Sequence, residues 1–137
     1  MKIYFAGSIR GGREHKEKYL EIINCLKNYG KVLTEHIGSQ DLDHLGEKGL
    51  TEGEIYNRDI KWLEEADVFI ADVSVPSLGV GYEIAKAEEM GKKILCICKK
   101  FEEGKKLSTM IMGDNNIKKE YYQTTEDVKN ILDKFFK

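Results

Sequence analysis

The sequence predicts an α/β fold: a flavodoxin-like or Rossmann-like, doubly wound sheet of five parallel strands in the order 2-1-3-4-5, with helices on both faces. Short apolar runs alternate along the chain with longer segments whose apolar residues recur at helical spacing. Two glycine-rich segments, residues 7–12 and 77–83, follow the first and third apolar runs. In this strand order those two runs are neighbours, so both segments face each other at the end of the sheet where such folds bind ligands.

Each element follows from a local pattern. Apolar runs predict strands over residues 2–6, 31–34, 67–73, 93–98 and 120–123. Amphipathic spacing predicts helices over residues 13–29, 51–65, 81–90, 107–112 and 125–136. Thr51 and Glu54 have capping-box spacing, and Gly30 supplies a helix stop. Residues 35–50 are polar and without a period, and we expect them to form a mobile loop over a site.

Length, charge and cysteine content limit the class of protein. The 137 residues fit one domain, 1–137, and the net charge of -2 gives no basic field for nucleic-acid polymers or anionic membranes. The first apolar run is too short for a secretory signal, and no run approaches about 18 apolar residues. We therefore expect a cytosolic or nuclear protein. Cys25, Cys96 and Cys98 form no C-x-x-C pair and are interpreted as reduced structural thiols.

The second glycine-rich segment offers a phosphate site without completing a dinucleotide motif. Gly79 and Gly81 match the start of the dinucleotide fingerprint, but Ile84 takes the third glycine position and the motif follows the third strand. A full NAD site is therefore disfavoured. The glycines still allow backbone N–H groups to approach a phosphate at a helix N-terminus. The alternative is an ordinary tight connection between strand and helix.

Two carboxylates are candidates for catalysis. Glu83 is expected in the first turn of the third long helix, where the dipole favours acidic residues and also keeps a carboxylate ionised, as a nucleophile requires. Asp59 falls on the apolar stripe of its helix with Ile55 and Leu63, so it is either satisfied structurally, for example by Arg58, or used. Two carboxylates that face one cleft are the usual equipment for cleaving a glycosidic bond.

Other polar residues have weaker signals. Arg10 is suited to a bidentate phosphate contact, whereas Arg13 is expected on the solvated side of the helix start. Loop serines are possible phosphate donors, and position singles out Ser8, Ser77 and Ser108. His36 follows the second strand and is a candidate to line the cleft. None of the three histidines has the spacing of metal ligands.

Five segments occur in the order of a known family: residues 4–13, 32–36, 59–63, 77–83 and 107–108. They resemble the 2'-deoxynucleoside 5'-monophosphate N-hydrolases, within the nucleoside 2-deoxyribosyltransferase superfamily. The resemblance covers nearly the whole chain. It implies cleavage of the N-glycosidic bond of a deoxynucleoside monophosphate, which gives free base and 2-deoxyribose 5-phosphate.

The resemblance also assigns roles. Glu83 matches the nucleophile that forms a covalent deoxyribosyl intermediate, Asp59 the carboxylate that assists proton transfer at the base, and Tyr4 the tyrosine that positions sugar and nucleophile. Matches to phosphate- and sugar-binding positions are Gly7, Ser8, Ile9, Arg10, Gly11, Ser77 and Gly79. Ser108 matches a serine that reaches the phosphate from a neighbouring subunit, which implies a homodimer. No metal or redox cofactor is implied.

Three other functions remain open on the sequence. The first is a deoxyribosyltransferase that moves deoxyribose from an unphosphorylated nucleoside to another base. The second is a ribonucleotide N-glycosidase of the cytidine monophosphate type, and the third is a non-catalytic nucleotide sensor that uses the same phosphate site. The pair Glu83 and Asp59 argues against the sensor. The identity of the base is not predicted.

Overall fold

The computed structural model describes residues 1–9, 16–38, 49–100 and 107–137, and it has the predicted architecture. Five parallel strands form one sheet in the order β2-β1-β3-β4-β5. The strands are β1 (Lys2–Ala6), β2 (Lys31–Val32), β3 (Val68–Asp72), β4 (Lys93–Lys99) and β5 (Ile117–Tyr122). Strand β1 pairs with both β2 and β3, so the point where the strand order reverses lies between β1 and β3, as predicted.

Helices cover both faces of the sheet. They are α1 (Lys16–Leu26), α2 (Glu52–Glu65), α3 (Leu78–Glu89), α4 (Thr109–Met112) and α5 (Thr125–Phe136). Successive β1 side chains alternate between two cores: Ile3 and Phe5 pack under α1 and α5, and Tyr4 and Ala6 pack under α2 and α3. Among the described residues, no helix is long and apolar enough to cross a membrane.

The boundaries of three elements differ from the prediction. Helix α3 begins at Leu78 instead of residue 81, because the Ser77 hydroxyl accepts the Val80 N–H at 3.2 Å and caps the helix. Strand β5 begins at Ile117, three residues earlier than predicted, and β2 is only two residues long.

Other local predictions are confirmed or fall outside the described residues. Thr51 and Glu54 form the predicted capping box at the start of α2. The segment 35–50, predicted as a mobile loop, begins with a 3-10 turn (Glu35–Gly38), and residues 39–48 lie outside the described residues. The three cysteines are buried and unpaired, and Cys96 and Cys98 share one face of β4.

A buried polar cluster fixes the connection from β3 to α3. The Asp72 carboxylate, fully buried at the end of β3, accepts the Ser74 N–H at 2.9 Å and the Tyr122 hydroxyl at 2.6 Å. The Ser74 hydroxyl oxygen in turn accepts the Lys99 N–H at 2.8 Å. Satisfied buried networks of this kind are rigid. The start of α3 is therefore held firmly relative to β4 and β5.

Candidate active site

A cavity of about 460 Å³ lies between α2 and α3, beside the switch point of the sheet. We call it the carboxylate cavity. Its lining residues are Tyr4, Glu52, Ile55, Tyr56, Asp59, Ile60, Leu63, Gly79, Tyr82 and Glu83. The volume falls in the range of small-molecule sites. The three residues predicted to be catalytic, which are separated by up to 79 positions in sequence, are therefore brought together.

Glu83 is held by a tyrosine from the floor of the cavity. The Tyr4 hydroxyl donates a hydrogen bond to Glu83 Oε2. Tyr4 is 1% exposed and its ring stacks on Phe69 with centroids 5.4 Å apart, so the donor has little freedom to move. Burial, followed by the charge of Glu83, raises the pKa of Tyr4 far above its ordinary value. The phenol consequently remains a proton donor to the carboxylate at every physiological pH.

The environment of Glu83 differs from the one predicted. It is the sixth residue of α3, so the prediction of a first-turn position was wrong. Burial is the largest effect on Glu83 and raises its pKa to about 7. The Tyr4 hydrogen bond lowers this pKa, and the charge of Asp59 raises it. The carboxylate thus titrates near neutrality, which marks it as a candidate functional group.

Asp59 lies on the predicted stripe of α2, with Leu63 one turn deeper and Ile55 one turn nearer the helix start. Its Oδ1 atom is 2.8 Å from Arg58 Nη2, and its side chain is 27% exposed. Asp59 therefore has features of both interpretations offered by the sequence. It is paired with Arg58, and it also lines the cavity that holds Glu83.

The predicted phosphate-binding residues are only partly described. Gly7, Ser8 and Ile9 follow β1 directly, whereas Arg10 and Gly11 lie outside the described residues, as do Arg13, His15 and His44. A Cβ atom at Gly7 would stand 2.9 Å from Cζ of Tyr19, so glycine is required there for packing. The Ser8 hydroxyl oxygen is buried and has no hydrogen-bond partner among the described residues.

Glycines also occupy the first turns of α3. A Cβ atom at Gly81 would meet nothing within 4 Å, and one at Gly79 would meet only the Ser77 hydroxyl at 3.9 Å. Protein packing does not require glycine at either position, although each costs about 1 kcal/mol of helix stability relative to alanine. Gly79 also lines the carboxylate cavity. The backbone there is open to a ligand.

Ser77 and Ser108 lie in a different space from the carboxylates. Both line a cleft of about 1000 Å³ between α3 and α4, here called the serine cleft. Each hydroxyl oxygen caps a helix, since Ser108 accepts the Met110 N–H at 3.2 Å as Ser77 accepts that of Val80. Leu78 and Met110, which also line the cleft, are 97% and 83% exposed. Within one chain, Ser108 is therefore not brought to the carboxylates.

Sequence reasoning did not single out two tyrosines of this site, and its expectation that His36 lines the cleft was wrong. Tyr56 and Tyr82 face each other across the carboxylate cavity, with their hydroxyl oxygens 3.3 Å apart. Arg58 contacts both Trp62 and His36, and His36 itself does not line the cavity. The available signal was helical spacing: Tyr56 stands three residues before Asp59, on the same face of α2.

A parallel α/β domain with two carboxylates in one cavity at its switch point is equipped for chemistry at a glycosidic bond. The chain belongs to the nucleoside 2-deoxyribosyltransferase family, whose family model matches residues 3–126. The resemblance drawn from the sequence is thereby confirmed.

The relatives span the whole chain. This chain is 45% identical over 141 residues to the 5-hydroxymethyl-dUMP N-hydrolase of Esox lucius, and the match covers 100% of this chain and 97% of the relative. It is 40% identical over 137 residues to the 5-hydroxymethyl-dUMP N-hydrolase of Homo sapiens, and the match covers 98% of this chain and 78% of the relative. The CMP N-glycosidase of Clostridium botulinum shares the fold, with a TM-score of 0.70, 23% identity, and coverage of 97% of this chain and 98% of that one.

Proposed function

We propose that this protein hydrolyses the N-glycosidic bond of 2'-deoxynucleoside 5'-monophosphates, releasing the base and 2-deoxyribose 5-phosphate. The observation that carries the proposal is the carboxylate cavity itself, in which Glu83, held by Tyr4, and Asp59 line one space of nucleotide size. The relatives named as hydrolases of 5-hydroxymethyl-dUMP, which is a deoxynucleoside monophosphate, support the substrate class.

The reaction proceeds in two displacements at C1' of the sugar. Glu83 forms a bond to C1' while the N-glycosidic bond breaks and its electron pair leaves with the base, which takes a proton that Asp59 passes on from solvent. Water then attacks C1', gives its proton to Asp59, and releases the Glu83 carboxylate. An anion beside the sugar stabilises the oxocarbenium-like transition state in both steps. A 2'-hydroxyl would crowd Glu83 and withdraw electrons from the developing cation, so ribonucleotides are expected to be poor substrates.

The phosphate binds at the start of α3 and the segment after β1. The N-terminus of α3, a helix of 12 residues, carries the positive end of the helix dipole. The open backbone at Gly79 allows the phosphate to approach closely. Polar groups for the phosphate come from Ser77 and from three residues after β1, Gly7, Ser8 and Ile9. The resemblance adds Arg10 and Gly11. Binding energy from the phosphate orients the sugar toward Glu83.

A homodimer completes the site, with Ser108 donated to the neighbouring chain. The support is the serine cleft, whose exposed Leu78 and Met110 are apolar residues that a second copy would cover. The resemblance gives Ser108 to the site of a neighbouring chain, and Ser108 does not line the carboxylate cavity of its own chain, which is compatible with that role.

Mixed dimers test this arrangement. Glu83→Gln and Ser108→Ala variants, each nearly inactive alone, should regain up to about half the activity per dimer when the chains are exchanged, because one of the two sites then holds both native residues. The measurement is base release after co-refolding.

The dimer interface is tested with two substitutions of an exposed apolar residue by aspartate. Met110→Asp should dissociate the dimer in sedimentation, whereas Leu20→Asp, on the exposed side of α1, should not. No recovery in a mixture shown to contain mixed dimers would contradict donation of Ser108.

The pH dependence should follow Glu83. Since only the ionised carboxylate attacks, kcat/KM is expected to rise with pH through about 7. Tyr4→Phe removes the hydrogen bond that lowers the pKa of Glu83, so the midpoint should move upward by about one pH unit. Tyr121→Phe, at the exposed sheet edge, is the control. A Tyr4→Phe profile that overlays the native one would show that the hydrogen bond does not tune the nucleophile.

The function itself is tested with a substrate panel. Deoxynucleoside monophosphates, ribonucleoside monophosphates, and free deoxynucleosides with an acceptor base are incubated with the protein, and products are separated chromatographically. Release of base and 2-deoxyribose 5-phosphate from the deoxynucleotides alone is the expected result. Base exchange without phosphate would indicate a transferase, turnover of ribonucleotides a ribonucleotide glycosidase, and binding without turnover a sensor.

A further inference from the structure

We infer that Arg58 is a positioning residue: it fixes the orientation of the Asp59 carboxylate and offsets its charge, so that Glu83 can act as an anion in the same cavity. The inference rests on the proposed function for its catalytic meaning, although its physical content concerns three side chains of this chain. Arg58 itself does not line the carboxylate cavity, and it acts through Asp59.

The contact between Arg58 and Asp59 is directional. Two N–H groups of the guanidinium, at Nε and Nη2, lie 3.0 Å and 2.8 Å from the same oxygen, Oδ1 of Asp59. Two donors that converge on one oxygen fix the position of that oxygen relative to the guanidinium. A lysine, with a single ammonium on a flexible chain, cannot reproduce this fork.

Among the described residues, Trp62 and His36 also hold Arg58. Its guanidinium carbon lies 4.6 Å from the ring centroid of Trp62, one turn further along α2. Its Nη2 atom lies 3.3 Å from Nε2 of His36, in the 3-10 turn that follows β2. His36 packs on the same Trp62 ring, with centroids 5.6 Å apart. Because these contacts hold the Arg58 side chain, it has few alternative conformations. The position of the Asp59 carboxylate is therefore better defined.

Stability alone does not account for the cluster. The side chains of Arg58 and Asp59 are 24% and 27% exposed, and ion pairs that solvent reaches contribute little to stability. The arrangement has a clearer effect on charge. Asp59 raises the pKa values of both Tyr4 and Glu83, and Arg58 opposes this effect on Tyr4. Without a cation, two carboxylates and a phosphate would have to share one site.

Among the described residues, the titratable and charged groups around this space come from four elements. They are Tyr4 on β1, His36 on the 3-10 turn, Glu52, Tyr56, Arg58 and Asp59 on α2, and Tyr82 and Glu83 on α3. The titration of Glu83 must therefore be measured directly, separately from that of its neighbours. The Glu83 carboxyl carbon can be followed by ¹³C NMR in protein labelled on glutamate, with Glu83→Gln identifying its signal.

The experiment separates charge from geometry with two variants. In Arg58→Gln the Glu83 midpoint should rise by about 0.5 to 1 pH unit, because a positive charge is lost, and kcat toward deoxynucleotides should fall about 10- to 100-fold with little change in KM. In Arg58→Lys the charge is kept and the fork is lost, so the midpoint should stay near the native value while kcat still falls. Lys61→Gln removes one exposed cation from the same helix and should change neither quantity.

Each result has a defined meaning. An unchanged Glu83 midpoint in Arg58→Gln, or the same shift in Lys61→Gln, overturns the charge role, and native kcat in Arg58→Lys overturns the positioning role. His36→Gln should leave the Glu83 titration in place, which excludes the imidazole as the group observed. Because the titration is read without turnover, a native protein inert toward every deoxynucleotide would refute the proposed function and still leave the effect of Arg58 on Glu83 measurable.

Discussion

Glu83→Gln is expected to lower kcat for deoxynucleotide hydrolysis by at least about 10³-fold, equivalent to about 4 kcal/mol in the barrier. Glutamine keeps the size of the side chain and can still accept the Tyr4 hydrogen bond, but its amide is neutral and does not attack C1'. The loss should therefore appear in kcat, with KM changed little, because the phosphate contacts remain. The measurement is chromatographic release of base under single-turnover and steady-state conditions.

The matched control is Glu89→Gln, an exposed carboxylate one and a half turns further along α3. It removes the same charge from the same helix and should retain native activity. Mass spectrometry of the native protein, quenched during turnover, should also detect a deoxyribosyl phosphate adduct on the peptide that contains Glu83. Native rates in Glu83→Gln, with a folded protein, would refute the covalent mechanism and the assignment of this residue.

Asp59→Asn is expected to lower kcat by about 10²- to 10⁴-fold on nucleobase substrates, the usual contribution of a general acid–base group. The size of the loss should depend on the leaving group. A substrate such as 4-nitrophenyl 2-deoxyriboside 5-phosphate releases a stable anion and needs no proton, so its first step, measured as the burst of 4-nitrophenolate, should be much less impaired in Asp59→Asn. Glu83→Gln, in contrast, should lose activity on both substrates.

Removing Asp59 also removes a negative charge that raises the pKa of Glu83, so the acid limb of kcat/KM should move to lower pH in Asp59→Asn. This shift is opposite in sign to the one expected for Tyr4→Phe. Glu65→Gln, at the solvent-exposed end of α2, serves as the control for charge on that helix. Equal losses in the first step on both leaving groups would show that Asp59 does not assist protonation of the base.

Much of the fold could be read from local patterns. The strand of residues 67–73 was predicted because it is an almost continuous apolar run, and β3 is buried along its whole length. Thr51 and Glu54 marked the start of α2 because capping depends on two residues at fixed spacing. The start of α3 was missed, since Gly79 and Gly81 weaken a helix and the cap from Ser77 outweighs them in this setting.

The sequence by itself determined the fold class and the candidate carboxylates, because hydrophobic period, turn residues and short motifs are properties of neighbouring positions. The strand order was predicted correctly as a common order of this fold class, although pairing between distant strands decides it. Tertiary structure alone decided how those groups meet. It brought the Tyr4 hydroxyl to Glu83, moved Ser77 and Ser108 into a separate cleft, and joined Arg58 to Trp62 and His36 beside Asp59. The pKa of Glu83 also belongs to this level, because burial and the charges of distant residues, not its place in the chain, set it near 7.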